Sequence, residues 1–569
     1  MAILNHLNRL IEICHLHEIE NVILCPGSRS AALTIGFVRH SRFNTYSISD
    51  ERSAAFIGLG IAQATKKPTI LVCTSGTAAY NFSSAVAEAY FQEIPLIVLT
   101  ADRPVEWIHQ YDGQTIFQQN IYGNHVKKAY QLNIQNQDAD SIWYLERIVN
   151  EAINICQTAP FGPVHLNIPI KEPFYPNVDE SLDFPKDAKK IVLAKNESQL
   201  SQETWNECFG TIEDFDKILI AVGQSDDEEL NQILGKITDE LWIPVLADSI
   251  SNISNASIKA HDLILPKLNE QEQHSLRPQL LITSGKSFIS KNIKTFLRKN
   301  KALVHWHIQE NEEFIDPFQS LTHKFNVNPV YFFKKMFEDL DYKKFLNGDD
   351  DDENSTYFEH WRVINEKTCL SIIKKLQKLP YSELNSLYRV INKLPENSIF
   401  QLGNSMSIRY VNLMQNILPK NIQVFCNRGT SGIEGSLSIA VGYAISTDKI
   451  VTCLLGDVSF FYDRNALWNN YLPSNLRIIV LNNGGGNIFR MIDGPAKQPE
   501  LKEYFETHQN MSIENTIKDT GFEYYKVAST QELEEALTTF FEQSNSSKVI
   551  ELFTDSVENQ KLFNEFKES

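Results

Sequence analysis

The chain has 569 residues, 53 Lys and Arg against 71 Asp and Glu for a formal net charge of −18, and 42% hydrophobic residues. That apolar share supplies several buried cores and excludes a disordered chain, and at roughly 100–200 residues per domain the length calls for about three domains. An acidic chain without a basic tract is a poor binder of nucleic acid or anionic membrane, so an anionic small molecule must be met by local clusters of Arg and Lys.

In chain order, the first segment (MAILNHLNRLIEICHLHEIENVIL) carries polar residues every few positions, as an amphipathic helix does. It lacks the apolar stretch of a signal peptide, and no apolar run approaches ~18 residues, so a soluble cytoplasmic protein is expected. Apolar runs of four to six residues then recur with helix-length segments between them. A first set is Val22–Cys25, Thr69–Cys73, Leu96–Thr100 and Val164–Ile168; a second is Ile218–Val222, Pro244–Ala247, Leu280–Thr283 and Val304–Ile308. A third is Ile399–Leu402, Val424–Cys426, Val451–Leu455, Ile478–Leu481 and Val549–Phe553. Continuous apolar strands spaced by helices mean parallel sheets covered on both faces, hence an α/β chain of three doubly wound domains. A Pro-rich, charged stretch at 171–200 and an acidic run at 348–355 (GDDDDENS) mark the boundaries. The domains expected are 1–185, 186–350 and 351–569. The eight cysteines form no CxxC pair, and Cys25, Cys73, Cys426 and Cys453 sit in or at the end of apolar runs, which points to buried reduced thiols.

Ligands of open parallel sheets bind beyond the carboxyl ends of the strands. Val451–Leu455 runs into Gly456-Asp457-Val458-Ser459, and Ile478–Leu481 runs into Asn482-Asn483-Gly484-Gly485-Gly486-Asn487. Asp457 and Asn483 are one strand–helix–strand unit apart and should emerge in one sheet. A carboxylate, an amide oxygen and a glycine-loop carbonyl are hard ligands that suit Mg²⁺. The glycines admit a diphosphate to backbone N–H groups, and a helix N-terminus favours its charge. Each loop alone also reads as a tight strand-to-helix turn.

The GD…NN pair resembles the metal–diphosphate motif of thiamine-diphosphate enzymes, whose pyrimidine-binding, central and diphosphate-binding domains match the three sets. That likeness demands a glutamate in the first domain. Glu51, after Tyr46-Ser47-Ile48-Ser49-Asp50, fits, although Asp50 and Glu51 read equally as a helix cap and a dipole partner. The likeness narrows with CPGSRS (25–30), SDERSA (49–54), TSGTA (74–78), ADRP (101–104), GNS…R (403–409), NRGxSGI (427–433), GD (456–457) and NNxGGxIF (482–489). This ordered set resembles the 2-succinyl-5-enolpyruvyl-6-hydroxy-3-cyclohexene-1-carboxylate synthases of menaquinone biosynthesis.

The resemblance implies a transferase that uses thiamine diphosphate and Mg²⁺ (or Mn²⁺) to decarboxylate 2-oxoglutarate and add the resulting carbanion to isochorismate. It makes Glu51 the catalytic residue, hydrogen-bonded to the cofactor's pyrimidine, with Asp457, Asn483 and Gly485 on the metal. Ser405, Ile433, Gly456, Val458, Asn487 and Ile488 would complete the cofactor site, with Ile433 propping the cofactor's bent shape. Arg409 and Arg428 would meet 2-oxoglutarate, and Ser28, Arg29, Arg103, Gln114 and Lys291 isochorismate, with Phe489 and Ile492 as apolar cover. Arg forks suit two dianionic substrates. Lys286 is the competing alignment for Lys291. Gly113 and Gly485 stand where the family often has Asn, and Asn487 where Gln is common. The fold also implies a homodimer or homotetramer in which Glu51 of one subunit faces Asp457 of another. The alternatives are another thiamine-diphosphate 2-oxoacid decarboxylase or carboligase such as acetohydroxyacid synthase, or a regulatory protein that binds the cofactor without turnover.

Overall fold

The apolar runs become strands that gather into three sheets, and every strand pairing is parallel. The computed structural model describes residues 2–568 apart from 135, 137, 173–174, 177–180, 195, 256–257 and 348–352. The first sheet comprises β1 (Asn21–Leu24), β2 (Asn44–Ser47), β3 (Thr69–Cys73), β4 (Leu96–Asp102), β5 (Lys128–Gln131) and β6 (Val164–Pro169), in the order β2-β1-β3-β4-β6-β5. The second comprises β7 (Ile218–Val222), β8 (Val245–Ala247), β9 (Leu280–Ser284), β10 (Val304–Ile308) and β11 (His323–Phe325), in the order β11-β10-β9-β7-β8. The third comprises β12 (Ile399–Leu402), β13 (Gln423–Cys426), β14 (Val451–Gly456), β15 (Leu476–Asn482), β16 (Glu523–Val527) and β17 (Lys548–Phe553), in the order β13-β12-β14-β15-β17-β16.

Side chains alternate across each sheet, so one strand feeds two cores. In β15, Ile478 and Val480 enter a cluster shared with the first domain, while Ile479 and Leu481 enter one shared with the central domain. The third sheet is therefore sandwiched between the other two domains. On its first-domain side the helices Glu51–Thr65 and Ser436–Ile445 cross at very close range. A Cβ on Gly60 would lie 2.2 Å from the Ile439 carbonyl oxygen, and one on Gly442 2.0 Å from that of Ile57.

Strand order reverses between β1 and β3 in the first sheet and between β12 and β14 in the third, creating crevices at their carboxyl ends. The motifs occupy the carboxyl ends of β1, β2, β3 and β4 in the first sheet and of β12, β13, β14 and β15 in the third. The described residues of 171–200 form no helix or strand. Of the acidic run, 348–352 lie outside the described residues, and the helix Glu353–Lys378 begins at its end. All eight cysteines are free, Cys369 half-buried and the rest buried.

Candidate functional site

At the first crevice a cavity of about 430 Å³ is lined by Pro26, Gly27, Glu51, Thr74–Ala78, Asn81 and the 112–116 loop. Asp50 caps the helix Glu51–Thr65, its Oδ1 accepting from the Arg52 and Ser53 amides at 2.9 and 3.3 Å. Asp50 thus takes the capping role, which leaves the half-buried Glu51 to the cavity, where Asn81 Nδ2 donates to its Oε2 at 3.3 Å. The Asp50 end of this helix is fixed against the third domain of the same chain. Asn465 Nδ2 donates to Asp50 Oδ2 at 2.6 Å, and Arg52 Nη2 to the Tyr462 carbonyl at 2.6 Å.

Around this cavity, Gln114 is a lining residue with a left-handed backbone (φ 56°). Arg103 donates through Nε and Nη2 to the Gly113 carbonyl at 3.2 and 3.0 Å, holding that loop. The contact uses only backbone at 113, so glycine there serves as well as any residue. Arg29 is buried and donates to the Ile170 carbonyl at 2.8 Å, with Glu172 at 3.5 Å. Ser28 Oγ lies 3.4 Å from the Tyr175 hydroxyl.

At the third sheet, β14 and β15 are neighbours with Gly456 opposite Leu481, so Asp457 and Asn483 leave adjacent strand ends. Asp457 is buried, its Oδ1 accepting from the Val458 amide at 2.8 Å and its Oδ2 from Gln509 Nε2 at 2.6 Å. Burial pushes its carboxyl up to about 6. Asn483 Nδ2 donates to Glu383 Oε1 at 2.6 Å, which leaves the Asn483 Oδ1 buried and, among the described residues, without a partner. Glu383, fully buried with its carboxyl raised by that burial, also accepts from the Tyr410 hydroxyl at 2.8 Å. The Asn487 Oδ1 is likewise buried and unpartnered. Gly485 has φ 153°, and a Cβ there would lie 2.5 Å from the Glu506 carbonyl oxygen. The Glu506 carboxylate is clamped by Arg490 Nε and Nη2, both at 2.6 Å, so the segment behind the glycines is held firmly. Among the described residues no group of three His, Cys, Asp or Glu side chains converges in a metal-holding arrangement. Any ion here would rest on one carboxylate plus amide and carbonyl oxygens, a set suited to a hard divalent cation.

Beside this loop two guanidiniums meet at the end of β12. Arg409 Nη1 donates to the Ser405 carbonyl, and Arg428 Nη1 to Asn404 Oδ1 at 3.1 Å. The Arg428 Nε is buried and, among the described residues, without a partner. Ser405 holds a backbone with φ 71° and ψ −129°, a region costly for a residue with a Cβ. Glu88 of the first domain fixes the 428–435 loop by accepting from the Gly429 and Thr430 amides at 2.9 and 2.6 Å. Ile433, 36% exposed, has its carbonyl bound by Ser459 Oγ. Gly456, Val458 and Ile488 are half-buried beside these loops, and Phe489 and Ile492 are 36% and 41% exposed.

The chain gathers Ser405, Arg409, Arg428, Ile433, Asp457 and Asn483 on one side and Glu51, Ser28, Arg29, Arg103 and Gln114 on the other. The Glu51 cavity draws its lining from first-domain loops, with none of the described 403–409, 427–435, 456–459 or 483–492 residues in it. Lys291 is exposed in the first turn of the helix Lys291–Lys299, and among the described residues its ammonium has no partner. Lys286 points elsewhere, donating to the Gln92 carbonyl and pairing with Glu93 at 3.3 Å. Sequence reasoning missed Glu383, Gln509, Glu88 and the Arg490–Glu506 clamp. Glu383 directly follows Ser382, whose hydroxyl caps its helix, and so reads as an ordinary first-turn acid.

Three family models cover most of the chain. They are the N-terminal TPP binding domain of thiamine pyrophosphate enzymes (residues 5–126), the middle domain of thiamine pyrophosphate enzymes (189–400) and their C-terminal TPP binding domain (409–552). Among curated proteins, the chain is 41% identical over 564 residues to the 2-succinyl-5-enolpyruvyl-6-hydroxy-3-cyclohexene-1-carboxylate synthase of Cytophaga hutchinsonii, covering 98% of this chain and 97% of that one. Proteins of the same name from Flavobacterium johnsoniae and Bacteroides thetaiotaomicron are 37% and 35% identical, each over 98% of this chain and 97% of their own length.

Proposed function

Since the chain belongs to the 2-succinyl-5-enolpyruvyl-6-hydroxy-3-cyclohexene-1-carboxylate synthases, within the thiamine pyrophosphate enzymes, we propose that it decarboxylates 2-oxoglutarate and adds the remaining carbanion to isochorismate. The products are CO₂ and the compound that the family name describes, and the step belongs to menaquinone biosynthesis. The reaction takes place in the cytoplasm; among the described residues no helix is long and apolar enough to cross a membrane.

When bound, thiamine diphosphate supplies a carbon nucleophile and an electron sink. Asp457, the Asn483 Oδ1 and the Gly485 carbonyl would hold Mg²⁺ (or Mn²⁺). The fit is supported by the Asn483 Oδ1, a buried amide oxygen without a partner among the described residues and so free to meet a ligand, and by a glycine backbone that no side chain can crowd. Glu383 fixes which end of Asn483 faces the ion, as outer residues do around metal ligands. Glu51, which lines the first-domain cavity, would offer its carboxyl to the cofactor's pyrimidine ring. Arg409 and Arg428 bind 2-oxoglutarate beside Ser405. Ser28, Arg29, Arg103, Gln114 and Lys291 receive isochorismate, and Ile433, Ile488, Phe489 and Ile492 shape the site and exclude water. Gly456, Val458 and Asn487 line the diphosphate.

The working unit is a homodimer or homotetramer, with the Glu51 cavity of one subunit closed by the metal loop of its neighbour. Support comes from that cavity's all-first-domain lining and from the exposure of Ile433, Phe489 and Ile492. The observation that carries the functional reading is the near full-length match together with the unpartnered Asn483 oxygen beside Asp457. Purified protein given thiamine diphosphate, Mg²⁺, 2-oxoglutarate and isochorismate should consume isochorismate absorbance with equimolar CO₂. No loss of absorbance contradicts the reading, and turnover of pyruvate alone would indicate an acetohydroxyacid synthase instead.

A further inference from the structure

Three cations, two of them already assigned, converge where β9 and β12 end. Arg409 and Arg428 meet at Asn404–Ser405, as described. The loop after β9 touches the same place, because Ser287 Oγ donates to the Arg428 carbonyl at 2.9 Å. The adjacent Phe288 carbonyl accepts from Lys294 Nζ at 3.0 Å, which sets that ammonium beside the Arg428 loop. Lys294 is half-buried, one helical turn beyond the exposed Lys291. Among the described residues, none of Arg409, Arg428 and Lys294 has a carboxylate oxygen within 4 Å. Burial and, after it, the charge of Arg428 depress the Lys294 ammonium, and burial and then Arg428 depress Arg409, while the carboxylates of Asp248 (on Lys294) and Asp262 (on Arg409), both beyond 4 Å, act in the opposite direction. Partly desolvated like charges without a carboxylate partner are costly unless an anion joins them. Lys294 Nζ has three hydrogens and, among the described residues, only the Phe288 hydrogen bond, so two remain for a ligand.

We infer that Lys294 is a third cation of the 2-oxoacid pocket, binding the carboxylate distal to the keto group and so selecting a dicarboxylic over a monocarboxylic 2-oxoacid. The inference rests on the functional reading above. Two guanidiniums and one ammonium then face the two carboxylates of the substrate, and a chain that ends in a methyl group leaves Lys294 unpaired.

The test compares 2-oxoglutarate with 2-oxopentanoate, which has the same carbon chain without the distal carboxylate, in the isochorismate assay. The Lys294→Met variant should lower the ratio of kcat/KM for the two acids about 10- to 100-fold, the loss expected for one hydrogen bond to a charged group. The drop should come through the KM for 2-oxoglutarate, with the KM for isochorismate held. Lys294→Arg should keep most of the discrimination. Lys294→Gln, which is one atom shorter but keeps a polar NH₂ without the charge, substitutes if the Met variant does not fold. A merely structural lysine would depress both acids alike, and that equal fall, or an unchanged ratio, overturns the inference. Failure of the unaltered enzyme to turn over 2-oxoglutarate overturns the functional reading and the inference together.

Discussion

Replacing Glu383 tests how the metal loop is aimed. Its carboxylate accepts from Asn483 Nδ2 at 2.6 Å and from the Tyr410 hydroxyl at 2.8 Å, in a fully buried position. The first bond engages the amide hydrogens of Asn483 and so leaves its oxygen to serve as the proposed metal ligand. In Glu383→Leu that constraint vanishes and the amide is free to turn. A hydrogen bond to a charged group contributes about 1.5–3 kcal/mol, which at about 1.4 kcal/mol per decade is roughly a 10- to 100-fold loss of Mg²⁺ affinity. Glu383→Gln keeps an acceptor for Asn483 and offers its NH₂ to the Tyr410 oxygen, so the orientation survives with a neutral bond, and the loss should stay within about threefold. The assay is calorimetric titration of Mg²⁺ at fixed thiamine diphosphate, with urea unfolding as the control for global damage. Equal Mg²⁺ affinity in the unaltered and Leu proteins would refute the orienting role, and equal losses in Leu and Gln would assign the effect to charge instead.

Gly485→Ala should weaken thiamine diphosphate binding by about tenfold or more, because a Cβ 2.5 Å from the Glu506 carbonyl oxygen forces the loop to move at a φ of 153°; equilibrium dialysis reads it. Arg490→Met, which frees Glu506 from its two-pronged clamp, should loosen the same loop with a smaller effect; it is checked in the same dialysis. His165 is depressed to about 3, and His305 and His307 to about 4, each by burial first. These rings must stay neutral in the folded state, while the unfolded chain protonates them near 6.5. The unfolded state therefore binds more protons, and stability should fall as pH drops from about 6.5 towards 4. Urea midpoints across that range would show the fall, which His305→Asn should make shallower.

The three parallel sheets were legible because central strands are buried on both faces and read as unbroken apolar runs. The strands that the runs do not reveal, β2, β5, β11 and β16, are all sheet edges. Their half-wetted faces admit Lys128, Lys324 and Glu523, so the apolar signal breaks. The loops after strands were legible for a related reason, since a parallel sheet puts its ligand crevices there. What the sequence could not indicate is which side chain from a distant segment reaches into a loop. Glu383 and Gln509 lie 100 and 26 residues from Asn483 and approach it only through tertiary packing. Lys294 differs from Lys291 by one helical turn, and only the burial of the helix tells the two apart.

Subunit complementation tests the two-copy site most directly. Glu51→Gln and Asp457→Ala chains, each inactive alone, are coexpressed with different tags, and the unsorted pool of dimers is assayed for isochorismate consumption. Random pairing makes about half of the dimers mixed, and each mixed dimer rebuilds one intact site of two, so about a quarter of the unaltered activity should return. Activity no higher than that of either parent, in an assembly shown to contain both tags, would contradict a site shared between two copies of the chain.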